Sequence, residues 1–498
     1  MSIKNRIPTK TYRLAENAVA RELGDWLVLG GIALFGAVTF ICPMVRAFYH
    51  FQINYVEGWD VYNALKVTQH IPLYGEKYGW TTVNYPALSF YVSAYLSHFT
   101  HSYLLTMRLL SLISLCVSCF LVGLIVRKLT GELSAAFFAG FFCLALFCTH
   151  ATGYVGMTDP QIFAQVFFLG GLLLYVSRPP TIACMAAIAL LFILGGNIKH
   201  NLIEFPLAVF IDLLIVSRRR AVQFVMVAIP LAAIAIALNI KYGGAFFISN
   251  LLHPRTYSVL DAFGDFFDTN GAILLPYIVA IIWVVRNRKD ARRRLICIFF
   301  VVALFVDMAF SGGIGIAINI YFGSFLALSI IMGLVVHDVW RTAGPFANRS
   351  LWRRGVPMVL SASLFLTLFL SGYSRILNAL AKMPDEQRQF DAETSFIGAQ
   401  PGLAMCEMLL HCYDAGKEYV FDPFNSTRLV LSHRLDVSEI VDKIETQQFG
   451  AIQLDTPGVT RTRPNQRFPD EVLDAVSQYY VVGYHDAKCV VYVPKAAQ

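Results

Sequence analysis

Apolar runs long enough to cross a bilayer recur along the chain as far as residue 373 and then stop. A helix rising 1.5 Å per residue needs about 20 apolar residues to cross roughly 30 Å of hydrocarbon. On that measure eleven spans are expected, at about 25–45, 104–126, 133–150, 161–177, 181–197, 201–217, 221–240, 270–285, 295–311, 317–337 and 355–373. The fifth and sixth are short and nearly fused. The segment "YPALSFYVSAYLSHF" is apolar but short and follows Pro86, so it reads as an interfacial or partly inserted helix. Beyond 373 the pattern changes to helix-like stretches alternating with strand-like ones, such as "VSEIVDKIETQQF" then "GAIQLD", and "DEVLDAVSQYY" then "VVGYHDAKCVVYVP". The first such pair is "GLAMCEMLLHCYDAG", read as helix, followed by "KEYVFDPF", read as strand.

The fold class is therefore an all-α polytopic membrane protein of about eleven spans with a small C-terminal α/β domain. Residues 1–24 form an N-terminal cytoplasmic segment, 25–373 the membrane domain with a long outer loop at 46–103, and 374–498 an extracytoplasmic domain. Composition agrees: 56% of the 498 residues are hydrophobic and 15% charged, with a mean hydropathy of +0.57. Charge fixes the orientation. With the N-terminus inside, 21 of the 28 Lys and Arg before residue 374 fall on the cytoplasmic side, including the six of "RNRKDARRR". The tail has 12 basic and 17 acidic residues, so the net charge of +7 is topological and gives nucleic-acid binding no support. The first apolar run is too long for a signal h-region and reads as an anchor. Of ten cysteines, only Cys406, Cys412 and Cys489 lie in the tail, where an oxidising compartment permits one disulfide among them.

Candidate chemistry collects on the expected outer side. "NYVEGWDVYNALK" places Glu57 and Asp60 three residues apart, with helix-like spacing after Asp60, in a loop that can tune a carboxylate for proton abstraction or leave it as a helix-terminal charge. "GMTDPQ" sets Asp159 before Pro160, as an N-cap, an orienting acid, or both. Lys199 and His200 of "GGNIKHNLIEFP", with His253 and Arg255 of "LLHPRTYS", could grip a phosphate or serve as ordinary interfacial charges. "GGIGIAINIYF" presents Asn319 and Tyr321 behind three glycines. Glu204, Asp212 and Asp307 lie within expected spans and require partners. The forms GxxxxGK[ST], HExxH and GxSxG are absent, which removes motif support for nucleotide-driven pumping, zinc proteolysis and serine hydrolysis.

Taken in order, "EGWDVY", "IPLYG", "NYPALSFY", "RLLSLISL", "TDPQ" and "KHNLIEFPLA" resemble the polytopic GT-C glycosyltransferases, in particular bacterial members like the dolichyl-phosphate-mannose mannosyltransferases and the lipid A aminoarabinose transferase. The resemblance spans about residues 25–375. It implies an enzyme of the bacterial inner membrane that moves a sugar, with inversion, from a polyprenyl-phosphate donor to a glycan, lipid or protein acceptor on the outer face. It also implies a base in the first outer loop, falling on Glu57 or Asp60 with Glu57 ahead, and Asp159 as second acid. Lys199 and Arg255, with His200 and His253, would hold the donor phosphate, and Tyr62, Tyr85, Asn319 and Tyr321 would line the cavity. No cofactor is required, although a divalent metal at Glu57, Asp60 and Asp159 is compatible. A transporter or flippase for polyprenyl-linked saccharides, and a non-catalytic scaffold, are the competing readings.

Overall fold

The computed structural model describes residues 9–253, 257–313, 315–342, 350–371, 373–455 and 466–495. Its first half is α1 (Thr9–Arg46), α2 (Val56–Thr68), α3 (Leu88–Thr100), α4 (Tyr103–Thr130), α5 (Leu133–His150), α6 (Gln161–Ser177), α7 (Ile182–Ile198), α8 (Glu204–Val216) and α9 (Arg218–Gly243). There follow α10 (Phe247–Leu251), α11 (Val259–Asn270), α12 (Leu274–Asn287), α13 (Arg294–Ser311), α14 (Phe322–Thr342), α15 (Ser350–Ser371) and α16 (Tyr373–Ala399). The remainder is β1 (Leu403–Cys406), α17 (Leu409–Asp414), α18 (Asn425–Leu431), α19 (Ser438–Glu445), β2 (Phe449–Asp455), α20 (Asp470–Tyr479), β3 (Tyr480–His485) and β4 (Cys489–Pro494).

A helix occupies each of the eleven expected segments. Among the described residues seven are long and apolar enough to cross a membrane, and α6, α7 and part of α15 are shorter apolar helices. The 13-residue α8 is shorter than a full crossing requires. The chain is thus a multi-pass membrane protein. α1 extends well before the expected start at residue 25, because nothing in "TKTYRLAENAVARELG" breaks a helix. α2 starts at Val56, ahead of Asp60, so both Glu57 and Asp60 stand in its first turns on adjoining positions of one face.

Two of the three intramembrane carboxylates have partners from other helices, and the third lies beside one of them. Asp212 accepts from Arg294 Nε at 2.7 Å and from the Tyr175 hydroxyl at 2.7 Å. Asp307 lies beside Glu204 and Ser324, so the two carboxyls face each other rather than lipid.

The C-terminal sheet has strand order β1-β2-β4-β3, with β1–β2 parallel and the other pairs antiparallel. Two details differ from the sequence expectation. β1 forms inside the stretch read as helix, because Leu403–Cys406 pairs with the buried β2, with a bulge between Leu403 and Ala404. "KEYVFDPF" is irregular, and its backbone serves tertiary contacts: Asp422 donates its N–H to Trp80 O at 2.7 Å. The tail disulfide joins Cys406 to Cys412 and leaves Cys489 as a thiol.

This domain packs on the loop that follows α1, which puts the two segments expected outside on the same end of the bundle. The Tyr62 hydroxyl donates to Lys417 O at 2.8 Å, Leu410 N–H to Gln52 Oε1 at 2.8 Å, and Asn84 Nδ2 to Asn425 Oδ1 at 3.0 Å. A Cβ on Gly58 would collide with the backbone of Leu409 and Leu410, so the glycine between the two acids is what lets the tail seat against α2. The loop itself is pinned by Arg108 near the head of α4. Its Nε and Nη2 donate to Glu57 Oε1 and Oε2 at 2.8 and 2.6 Å, and Nη1 and Nη2 also donate to Tyr49 O and Phe51 O. Both side chains are wholly buried.

Removing one partner of such a pair leaves a buried charge uncompensated, which typically costs about 3–5 kcal/mol. Arg108→Met is therefore expected to lower the thermal midpoint in detergent sharply, and adding Glu57→Leu in the same chain to restore most of it. A single variant as stable as the parent would show that the pair does not hold the loop.

Candidate active site

Asp60 is 1% exposed. One oxygen, Oδ2, accepts from the Thr158 hydroxyl at 2.5 Å, while Oδ1 is buried with no hydrogen-bond donor among the described residues. A carboxylate oxygen in that state is expensive to bury unless something arrives to bond it. Burial is the largest influence on its titration and pushes it well above the ordinary aspartate range; Asp159 and Glu57 add to the rise, and Thr158 and Lys199 oppose it.

Asp159 lies next along the turn between α5 and α6. Its Oδ1 accepts from Gln161 N–H at 2.9 Å, so it does cap the following helix as its sequence suggests. Its Oδ2 accepts from Lys199 Nζ at 3.0 Å and from Asn319 Nδ2 at 3.4 Å. Lys199 in turn lies 3.5 Å from the centre of the Tyr85 ring, a cation–π contact with a desolvated ammonium. Tyr85 packs edge-on against Trp59 at 5.0 Å, and Asn319 and Gln161 bond each other reciprocally. Five of the expected residues, Asp60, Asp159, Lys199, Tyr85 and Asn319, are thereby gathered by α2, the loop before α3, the α5–α6 turn, the end of α7 and the short helical turn Ile318–Tyr321.

A small cleft opens between Asp60, Thr158, Asp159 and the helices α3 and α4. The hydroxyls of Ser89 on α3 and Ser111 on α4 border it, and each is buried without a hydrogen-bond partner among the described residues. The helix read as interfacial is thus a wall of the cleft. The cleft holds about 10 Å³, room for about one water, and with Asp60 Oδ1 these orphaned groups are placed to bond a hydroxyl.

Other expected residues lie elsewhere. Glu57 is fully engaged by Arg108 and by the Ile53 N–H at 2.7 Å. Tyr62 is on the opposite face of α2, stacked on Tyr419 and lining a separate cavity of about 700 Å³ against the C-terminal domain. The Tyr321 hydroxyl donates to Asp265 at 2.7 Å, inward of the cleft. His200 is exposed at its turn and His253 half-buried after α10. Arg255 lies outside the described residues. Glu57, Asp60 and Asp159 do not suit a divalent ion as they stand, since Arg108 neutralises the first and Lys199 the third, and their ligand atoms form no cluster among the described residues.

Three functional candidates escaped the sequence reading. Thr158 and Arg108 both stood inside stretches singled out for other reasons, and a lone arginine heading an apolar span is itself a signal of a buried partner. Arg467, from the C-terminal domain, stacks on Tyr55 at 3.5 Å and has a buried Nη1 with no acceptor among the described residues. Tyr154 lies within electrostatic reach of Arg467 and Asp159 alike. No local pattern marks Arg467.

No protein family and no curated protein matches the chain. Solved structures do. ArnT from Cupriavidus metallidurans bound to undecaprenyl phosphate aligns with a TM-score of 0.57 at 14% identity, over 94% of this chain and 98% of that one. Its apo state aligns with a TM-score of 0.60 over the same shares. The apo oligosaccharyltransferase of Archaeoglobus fulgidus aligns at 0.53 and 11% identity, over 95% of this chain and 74% of that one. At these identities the likeness is one of architecture, and both relatives carry the same one. The chain has the GT-C fold.

Proposed function

We propose that the chain is a membrane glycosyltransferase that moves a sugar from a polyprenyl-phosphate donor to an acceptor hydroxyl, with Asp60 as the base. The observation that carries this reading is the uncompensated Asp60 carboxylate beside the Asp159–Lys199 pair, in a cleft edged by unpartnered hydroxyls. The binding of undecaprenyl phosphate by the similar ArnT supports the class of donor.

The roles follow from charge. The acceptor O–H donates to Asp60 Oδ1 and loses its proton as its oxygen attacks the anomeric carbon from the face opposite the phosphate. The bond from that carbon to the phosphate oxygen breaks, the configuration inverts, and the lipid phosphate leaves with its negative charge increased. Fixed cations in a water-poor cleft stabilise that charge. Lys199, already oriented by Asp159 and Tyr85, and Arg467, with an Nη1 still lacking an acceptor, supply them. Glu57 positions α2 through Arg108 rather than taking a proton. The bacterial inner membrane, a cytoplasmic N-terminus and an outer-face site belong to the same reading. They rest on the basic bias of the expected inner loops and on the packing of the tail against the first long loop.

A base contributes typically about 10²- to 10⁴-fold to rate. Asp60→Asn is expected to lower kcat by that range in detergent-purified protein supplied with polyprenyl-phosphate sugars from native membranes, while the lipid still binds. Unchanged transfer by Asp60→Asn would remove Asp60 as the base.

Because burial raises Asp60, its ionised and basic form is gained only as pH climbs past the ordinary aspartate range. kcat/KM should therefore rise with pH, with a midpoint above about 4, the unperturbed value for aspartate. A profile already level through that region would contradict the assignment. Arg467→Gln should raise the KM for donor more than it lowers kcat, and an unchanged KM would take Arg467 out of phosphate binding.

A further inference from the structure

We propose that Glu393, Asp486 and Cys489 form a binding site for a divalent transition metal, of the kind zinc prefers, in the C-terminal domain and separate from the cleft. One ligand atom from each lies within 4.8 Å of the others. The three come from α16, from the turn between β3 and β4, and from the first residue of β4, so the cluster is made by the tertiary fold and by no local motif.

The three side chains already converge: the Cys489 thiol is in hydrogen-bonding contact with both the Glu393 and the Asp486 carboxyls, and Gln453 bonds Glu393. Glu393 is 4% exposed, and its Oε1 has no hydrogen-bond donor among the described residues. Asp486 Oδ1 accepts the N–H groups of Lys488 and Cys489 at 2.7 and 2.9 Å, which fixes the turn, and Oδ2 accepts from the Tyr484 hydroxyl at 3.4 Å. Cys489 is buried and is not in the disulfide.

His411 completes the arrangement as a positioning residue. Its Nε2 lies 3.2 Å from Glu393 Oε2 and its Nδ1 3.0 Å from the Thr394 hydroxyl, while Phe390 stacks on the ring at 4.2 Å. Burial holds this imidazole neutral, down to about 3, so the ring N–H donates to the carboxylate while the threonine hydroxyl donates to the other nitrogen. Outer partners of this type orient a ligating carboxylate.

The local charge also calls for a cation. Asp455 faces Cys489 across the β2–β4 pair, and Lys488 is turned away to Glu386 at 2.8 Å. A bound metal would favour the deprotonated carboxylate and thiolate over their protonated forms. Zinc binds thiolate at about 2.3 Å and carboxylate oxygen at about 2.0–2.2 Å. A tetrahedral site on those bonds brings the ligand atoms to about 3.3–3.7 Å apart, so closing the cluster on a metal needs a movement of no more than about 1.5 Å. The metal would clip α16, the helix leading out of the membrane domain, to the β3–β4 hairpin, beside the contact of Phe396 with Tyr484 at 5.4 Å.

Metal analysis of the purified full chain after extensive dialysis tests this. Stoichiometric zinc is expected in the parent and in Asp60→Asn, and its loss in Cys489→Ser and in Glu393→Gln. Exchange for cobalt(II) should give a near-ultraviolet thiolate-to-metal band, absent from Cys489→Ser, and His411→Ala should weaken cobalt binding about 10- to 100-fold without abolishing the band. If the ligand variants do not fold, the cobalt spectrum of the parent decides. A parent chain that retains no zinc and gives no thiolate band with cobalt, or a band that persists in Cys489→Ser, would overturn the site.

Discussion

A carboxylate stripped of water must find its countercharge within hydrogen-bond reach, since the effective penalty for burying an ion is several kcal/mol. That constraint organises the end of the helix bundle where the loop after α1 folds back. Glu57 finds Arg108 and Asp159 finds Lys199, both at hydrogen-bonding distance. Asp60, one turn along α2 from Glu57, has a hydroxyl on one oxygen and no donor on the other among the described residues. Three acids close in space thus take three different jobs. The first fastens the loop, the second aligns a lysine and caps α6, and the third is left with basicity to spend. Burial pushes Asp60 well above the ordinary aspartate range, and the two cations that pair its neighbours leave it without an ion pair of its own among the described residues.

The C-terminal domain is part of this arrangement and not an appendage. It closes over α2 through Gly58, which has no Cβ to obstruct Leu409 and Leu410, and through side-chain bonds from Tyr62, Gln52 and Asn84. It also brings Arg467 to Tyr55, in the residues leading into the helix that carries Asp60. Order in the long first loop is thereby distributed between α4 on the membrane side and the tail on the other. A loop anchored from both sides can hold a catalytic group to the tolerance that chemistry requires.

Much of this was legible in the sequence, and the limits have physical causes. Spans could be read because hydrocarbon thickness sets a length, and α4, α5, α6 and α7 match the expected segments within a few residues. Asp159 could be read because an acid before Pro160 is a local signal, and Lys199 because a lone cation between two apolar runs is conspicuous. The pairing that occupies Glu57 and leaves an Asp60 oxygen open could not, since it depends on Arg108, 51 residues away. The Tyr62 and Tyr321 hydroxyls bond Lys417 and Asp265 rather than groups of the Asp60 cleft, a matter of rotation that spacing does not fix. β1 was hidden because "GLAMC" has helix-like periodicity that pairing with β2 overrides. Arg467 and the cluster at Glu393, Asp486 and Cys489 exist only through tertiary folding.

The most direct measurement is a cryo-electron microscopy structure of the full chain with a polyprenyl monophosphate bound. The phosphate is predicted to lie at the cleft, within hydrogen-bond reach of Lys199 or Arg467 and facing Asp60 Oδ1 across room for a sugar. A lipid phosphate seated away from that cleft, with Asp60 still enclosed by protein alone, would contradict the central claim.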